Sequence, residues 1–275
     1  MTDIRRTAMR CMAVGSNTSL GMLTTLIIGA WEPAHADPGF LRVPVGSALV
    51  NGASLKPFEN SWRMQVTKKD GTTNFDAGLW KDRFEVIDID GKHYGVRIQD
   101  ATFKGKNGDI AATTRTVNVF ERGTMAPVTR WFERHVTGKE ESSVHIAFKR
   151  GSMALESRIG NKIETRGVAV QPAYDFDGGL YALLWSALPL KAGFSASLPS
   201  YSEDEHPEKV AWYTFKVTGT ERIEAGRMGP RDCWIVEGES GSGPLKYWLS
   251  AEAPYIIRLQ FEQQTTGARW LLTMT

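Results

Sequence analysis

The sequence predicts a mainly β protein, an antiparallel meander that carries one central helix. Three observations lead there. In "LKYWLSAEAPYIIRLQFE", Leu245, Tyr247 and Leu249 share one parity before a turn, and Tyr255, Ile257, Leu259 and Phe261 share one after it. The other parity carries Lys246, Ser250, Arg258, Gln260 and Glu262, with Trp248 and Ile256 as exceptions. Successive strand side chains point to opposite faces, so this reads as a hairpin with one apolar and one wet face. Second, Asp70-Gly71 and Asp90-Gly91 lie between strand-like stretches, and such pairs supply the positive φ that tight hairpin turns need. Third, a single stretch near 178–188 spaces its apolar residues for a helix.

The first 36 residues read as a leader that the working protein lacks. Arg5, Arg6 and Arg10 precede an uncharged, mostly apolar run from Leu20 to Trp31, and Ala34-His35-Ala36 places small residues at the two positions a signal peptidase reads. That layout predicts export, with cleavage after Ala36. The apolar run is shorter than the roughly 20 residues that span a bilayer. Cys11 lies ahead of that run, which argues against a lipoprotein anchor, so the expected location is the periplasm. The remaining chain keeps one cysteine, Cys233, in the strand-like "RDCWIVEGE". No internal disulfide can form, and burial is the expected fate of that thiol. The formal net charge of +2 for the whole chain does not suggest a nucleic-acid partner. No later segment is long and apolar enough to be a transmembrane helix.

From 37 to 54 the chain is spotted with Gly, Pro and Ser and reads as an irregular arm. A single β domain is expected from 55 to 275. Its first half runs through "SWRMQVT", "RFEVIDI", "KHYGVRIQDATF", "TTRTVNVFE", "PVTRWFERHV", "SSVHIAFKR" and "NKIETRGVAV", each closed by turn residues. In "DFDGGLYALLWSALPL", Leu180, Leu183, Leu184, Ala187 and Leu188 fall at helical spacing, Asp177-Gly178 can cap the start, and Pro189 stops it. The second half returns to strands: "KVAWYTFKVTGTERIEAG" with a turn at Thr218-Gly219, then "DCWIVEGE", "LKYWLS", "PYIIRLQFE" and "ARWLLTMT". Strand follows strand with short turns, which describes an antiparallel sheet and not βαβ units.

Three places carry a family likeness: "LKPFENSWRMQVTKKDG", "YDFDGGLYALLWSALPLKAG" and the run from "VTGTERIEAG" to "LKYWLSAEAPYIIRLQFE". Together they resemble a family of exported bacterial proteins catalogued as a domain of unknown function, with a "PF-x-x-x-Y" start and a late "W-L-S-x-D" hairpin. Here Trp62 stands in the Tyr position and Glu252 in the Asp position. The family is similar in fold to the lipoprotein-sorting factors of the Gram-negative periplasm. The resemblance covers about Leu55 to Thr275 and implies a half-barrel, an open curved antiparallel sheet wrapped around the central helix. It brings no catalytic residue.

The residues themselves offer little chemistry. His93, His135, His145 and His206 form no H-x-x-x-H or H-x-H pair, so neither a metal nor any other cofactor is expected. "DIDG" at Asp88–Gly91 is a fragment of a calcium loop without its closing Glu and reads as a turn. "SEDEHPE" and "YDFDGG" read as solvated acidic loops. "GESGSG" puts Ser242 where a nucleophile elbow needs its second Gly. What stands out is aromatic surface: Trp62, Trp80, Trp131, Trp185, Trp212, Trp234, Trp248 and Trp270. Most are expected in the core. An incompletely filled half-barrel would leave a cleft for an acyl chain, with Leu184, Leu188, Tyr213, Phe215, Tyr247, Leu249, Ile257, Leu259 and Phe261 as its walls. The expected function is a non-enzymatic carrier of a lipid-like ligand or an acylated protein partner. The alternatives are an envelope adaptor with a self-packed sheet and, third, an envelope hydrolase.

Overall fold

A computed structural model describes residues 39–275 apart from 69–71, 150, 170, 176–179, 203–208, 241–242 and 264–266. The leader with Ala34 and Ala36, the Asp70-Gly71 turn, the Asp177-Gly178 cap and most of the acidic loop before Lys209 lie outside those residues.

In chain order the strands are β1 (Leu41–Arg42), β2 (Phe58–Thr67), β3 (Thr73–Ile89), β4 (Lys92–Lys104), β5 (Ile110–Glu121), β6 (Pro127–Val136), β7 (Ser142–Lys149), β8 (Ser152–Ile159), β9 (Lys162–Val168) and β10 (Tyr174–Asp175). The helix α1 (Leu180–Ser186) follows, then β11 (Ser195–Tyr201), β12 (Ala211–Glu224), β13 (Pro230–Ser240), β14 (Gly243–Ser250), β15 (Ile256–Glu262) and β16 (Arg269–Met274). Among the described residues all strands belong to one sheet, and α1 is the only α-helix. From β2 to β9, and again from β11 to β16, each strand pairs antiparallel with the next. The two meanders are joined where β16 lies antiparallel to β2, with Met274 opposite Trp62. The parallel contacts are β1 and β10 on β11, at one margin. The molecule is thus a mainly β protein built on one large, curved, open sheet.

The turns follow their sequence signals. Asp90 and Gly91 take φ of 53° and 74°, the two positive values a type I′ turn requires, and the Gly91 amide donates to Asp88 Oδ1 at 3.1 Å. The turn expected at Thr218-Gly219 does not form. β12 runs straight through it, with a bulge between Val217 and Gly219 opposite β13. A Gly inside a strand absorbs the extra residue there. The strand at Ser152–Ile159, "SMALESRI", alternates only weakly, with Met153 and Leu155 buried between small or polar neighbours, and "SASLPSY" at Ser195–Tyr201 is too small and polar for alternation to mark it. Neighbouring strands on both sides hold them in the sheet.

Three apolar clusters fix the curvature. The main one gathers α1, the inner faces of β2 and β11–β16, and Val43, Val50 and Leu55 from the segment before β2. A second lies on the opposite face of β3–β5, formed by Ile87, Val96, Ile98, Val117 and Val119. A third joins Ile146, Met153 and Leu155 of β7 and β8 to Ala173, Tyr201 and Val210. Strands far apart in sheet order meet there. Arg130 of β6 and Asp175 of β10 form an ion pair at 3.5 Å, 1% and 0% exposed.

Candidate functional site

The site is built around α1. Its sequence, "LYALLWS", is apolar on every side, and each residue from Leu180 to Trp185 is buried. A helix without a polar face must be covered all round. On the sheet side Tyr181 packs on Phe215 at 5.8 Å and edge-on to Tyr213 at 6.2 Å. Trp185 packs on Phe215 at 5.2 Å and on Phe194 at 6.3 Å. Phe215 reaches Tyr247 at 6.0 Å. It can lie that low because Gly238 is under it: a Cβ there would sit 2.3 Å from Phe215 Cδ1. On another side the Asn51 amide donates to Ala187 O at 2.8 Å, so the segment before β2 closes the end of the helix. The Tyr181 hydroxyl bonds Leu198 O at 3.2 Å and the Ser200 hydroxyl. Burial pushes the Tyr181 phenol well above its ordinary value.

Beside the helix lies a cavity of about 60 Å³. Tyr181 and Ala182 form its helix side, and Trp62, Tyr247, Ile256, Leu259 and Leu272 its apolar walls. Trp80, Arg97 and Gln99 close the far side. Arg97 is committed to Asp82 by two parallel hydrogen bonds, Nε to Oδ1 at 2.9 Å and Nη2 to Oδ2 at 2.8 Å. Trp62 donates its indole N–H to Ile256 O at 3.3 Å, whereas the buried Trp80 Nε1 and Gln99 Oε1 have no hydrogen-bond partner. Burial raises the Tyr247 phenol well above its ordinary value, and the charge of Arg97 acts in the opposite sense.

Two residues further along the same strand faces, the apolar wall becomes a half-buried aromatic strip. Phe261 stacks on Trp270 at 5.8 Å with planes 2° apart, and Phe103 meets Trp270 edge-on at 6.3 Å. All three pack against the main cluster and remain partly exposed.

The nine residues singled out in sequence all fall in or against that cluster. Tyr247 and Leu259 line the cavity, and Tyr213 and Phe215 carry the helix. Leu184, Leu188, Leu249 and Ile257 are packed in the core, and Phe261 sits on the strip. Ile256, an exception by parity, faces the same way because a bulge opposite Leu249 lets Ile256 pair where Ile257 would have stood. Trp248 does point to the other face. It is held there by Lys246 and Arg258, 5.0 and 5.1 Å from its ring, and by its N–H on Glu221 Oε2 at 2.6 Å. Sequence reasoning missed Trp80, Arg97 and Gln99. In "GVRIQD" the apolar parity is Val96 and Ile98, which face the second cluster, so the polar parity turns inward.

Little else at hand is reactive. Among the described residues no cluster of three metal-ligating side chains occurs. His93 and His135 are exposed beside Asp88 and Glu141. His145 Nε2 lies 2.8 Å from Thr129 Oγ1, but that hydroxyl donates its proton to Ile146 O at 2.9 Å. The ring nitrogen is therefore the donor to Thr129, the reverse of a base activating a nucleophile. The Cys233 thiol is buried, and burial first, then Asp232, pushes it up to about 11, which makes it a poor nucleophile. The opposite face of β4–β8 carries an open polar trough of about 820 Å³, with Arg115 and Asp100 paired across it at 3.7 Å and Trp131 donating to Glu133 at 2.9 Å.

Fold and site together define a class: a mainly β protein with one curved open antiparallel sheet and a fully buried helix on it. Over residues 58–268 the chain matches the family described as "Protein of unknown function (DUF3108)", and it belongs to that family. No curated protein matches it. It is loosely similar to a crystal structure of a "putative lipoprotein" from Parabacteroides distasonis, at 11% identity over 80% of this chain and 95% of that one, with a TM-score of 0.32. Among the described residues no helix is long and apolar enough to cross a membrane.

Proposed function

We propose that the protein is a non-enzymatic, exported envelope protein whose sheet curves as a half-barrel around α1 and holds the chain of a lipid-like or acylated ligand. The observation that carries this reading is the strip of Phe103, Trp270 and Phe261, half-exposed and continuous with the apolar wall of the cavity. α1 packs on Tyr213 and Phe215 of the inner face, and the strip beyond Tyr247 is only partly buried. The cavity alone is far below the roughly 300–1,000 Å³ of an ordinary ligand pocket, so the chain would lie on the strip and only its end would enter. Each methylene buried there contributes about 0.8 kcal/mol. Export rests on the sequence pattern of residues 1–36, with cleavage expected after Ala36.

Native mass spectrometry of the protein purified from the periplasm, followed by organic extraction, tests the reading. A co-purified lipid or fatty acid, lost in Trp270→Ala, is the expected result. A clean mass for the wild type, with no affinity for added dodecanoic acid, overturns it. The polar trough favours a second reading, an adaptor that docks a protein partner through that face. In that case Trp131→Ala, and not Trp270→Ala, abolishes the phenotype of a deletion strain's complementation.

A further inference from the structure

The sheet has two margins, and the chain treats them differently. At one, β1 and β10 both pair with β11. At the other, β9 is the last strand and, among the described residues, pairs with β8 alone. Every residue of β9 before Val168 is exposed, Ile163 at 51%. An edge strand turns half of its backbone N–H and C=O groups away from its one neighbour, and these are a template for another strand. Folded proteins blunt such an edge with a proline, a bulge or charge. β9 has no proline, and its register with β8 is unbroken from Lys162 to Val168. It does carry charge on one face, Lys162, Glu164 and Arg166, but the signs differ. Neither Glu164 nor Arg166 has an ion-pair partner among the described residues.

We infer that β9 is a self-pairing edge: two copies of this chain join through antiparallel β9 strands, about a two-fold axis through Thr165, into one continuous sheet. Symmetry fixes the register. A two-fold axis normal to the sheet keeps each face on its own side, so every β9 residue meets a residue of its own parity on the second copy. The axis must then pass through one residue position. Centring on Thr165 pairs all seven residues of β9, the longest overlap the strand allows. It sets Glu164 opposite Arg166 of the second copy, twice, and Thr165 opposite itself. Opposite charges and paired threonines are both favourable cross-strand neighbours. Centring on Glu164 or on Arg166 puts like charges face to face, and centring one residue further out pairs only three residues of the strand.

The other face of the strand fits the same register. There Ile163 stands opposite Gly167 of the second copy. A Cβ on Gly167 would meet nothing within 4 Å, so the space over it is open to the exposed isoleucine. Beyond Gly167 in the same row lies Ala154 of β8, another small residue. The contact is one strand wide, well below the roughly 1,600 Å² of a standard interface, so the dissociation constant is expected on the order of 10 μM. Its ion pairs are exposed, so the dimer weakens as salt rises. The inference does not depend on the carrier reading.

The test is sedimentation equilibrium of the purified protein at low salt, up to about 500 μM. The wild type is expected to show a monomer–dimer equilibrium. Glu164→Arg and Arg166→Glu, each alone, set like charges opposite each other at two points and are expected to weaken the dimer at least about tenfold. The two single variants mixed together are expected to form a mixed dimer, because each supplies the sign the other lacks. The double variant Glu164→Arg with Arg166→Glu is expected to dimerise as the wild type does. Both positions are exposed, and a native circular dichroism spectrum checks that each variant folds. A wild type that stays monomeric overturns the inference. So do single variants that dimerise as tightly as the wild type, or a mixture and a double variant that fail to recover, since the copies would then not meet through β9 in this register.

Discussion

Removing the Arg97 guanidinium should cost far more stability than removing the whole ion pair. Asp82 and Arg97 are diagonal neighbours on the inner faces of β3 and β4, where Phe84 is opposite Arg97 and Asp82 is opposite Gln99. The side chains are 0% and 1% exposed, with the two short hydrogen bonds described above. At about 3 Å and an effective dielectric of about 20, the attraction is about 5–6 kcal/mol. Taking the two ions out of water costs several kcal/mol each, so the pair as a unit contributes little net stability. Arg97→Met leaves Asp82 buried and unpaired, at an expected cost of about 3–5 kcal/mol, a large share of the 5–15 kcal/mol typical of a domain. Arg97→Met with Asp82→Leu removes both charges and should lie within about 1 kcal/mol of wild type. Urea unfolding followed by tryptophan fluorescence measures all four corners of the cycle, and the coupling should exceed about 2 kcal/mol. A single substitution costing under about 1 kcal/mol, or a double as damaging as the single, would refute the reasoning.

Two further outcomes follow from the packing around α1. Gly238→Ala places a Cβ 2.3 Å from the Phe215 ring and 2.4 Å from Thr214 O. It should destabilise by about 1–3 kcal/mol, and because the two residues touch, the loss in melting temperature for the double variant with Phe215→Leu should fall short of the sum of the two single losses. If the glycine substitution is silent, Phe215 does not rest on it. Alkaline pH should also unfold the protein: burial holds the Tyr181 and Tyr247 phenols above their ordinary 10.0 and the Cys233 thiol, ordinarily 9.0, up to about 11. These groups keep their protons longer in the folded state. Their contribution is intact below the unfolded values and is lost as pH rises from about 9 through the raised values. Urea midpoints at pH 8.0 and 10.5 measure it, and equal midpoints would contradict it.

Much of the fold was legible because a sheet edge-to-edge with its sequence neighbours leaves a local record. "PVTRWFERHV" is β6 residue for residue, and the helix starts and stops near where its leucines and Pro189 place it. The failures were of two kinds. Thr218-Gly219 looked like a turn but is a bulge, because a Gly in a strand and a Gly in a turn read alike until the partner strand fixes register. β8 and β11 carry mostly small and polar residues, so their apolar alternation is too weak to mark them in the sequence.

The site was half legible. Tyr247 and Leu259 could be found because apolar parity on β14 and β15 does point inward. Gln99 and Arg97 could not, because on β3–β5 both faces carry buried side chains and the more apolar parity is the one turned away from α1. Parity assigns residues to two faces but does not say which face is inside.

The sequence by itself determined most of the strands, most turns, the central helix and the family, since hydrophobic period, Gly and Pro act over a few residues. Only the tertiary structure decided that β16 closes on β2, and that Arg97 meets Asp82 beside an unpaired Gln99 and Trp80 in one cavity. Those juxtapositions depend on register and curvature summed over many strands, and no local pattern in the chain encodes that sum.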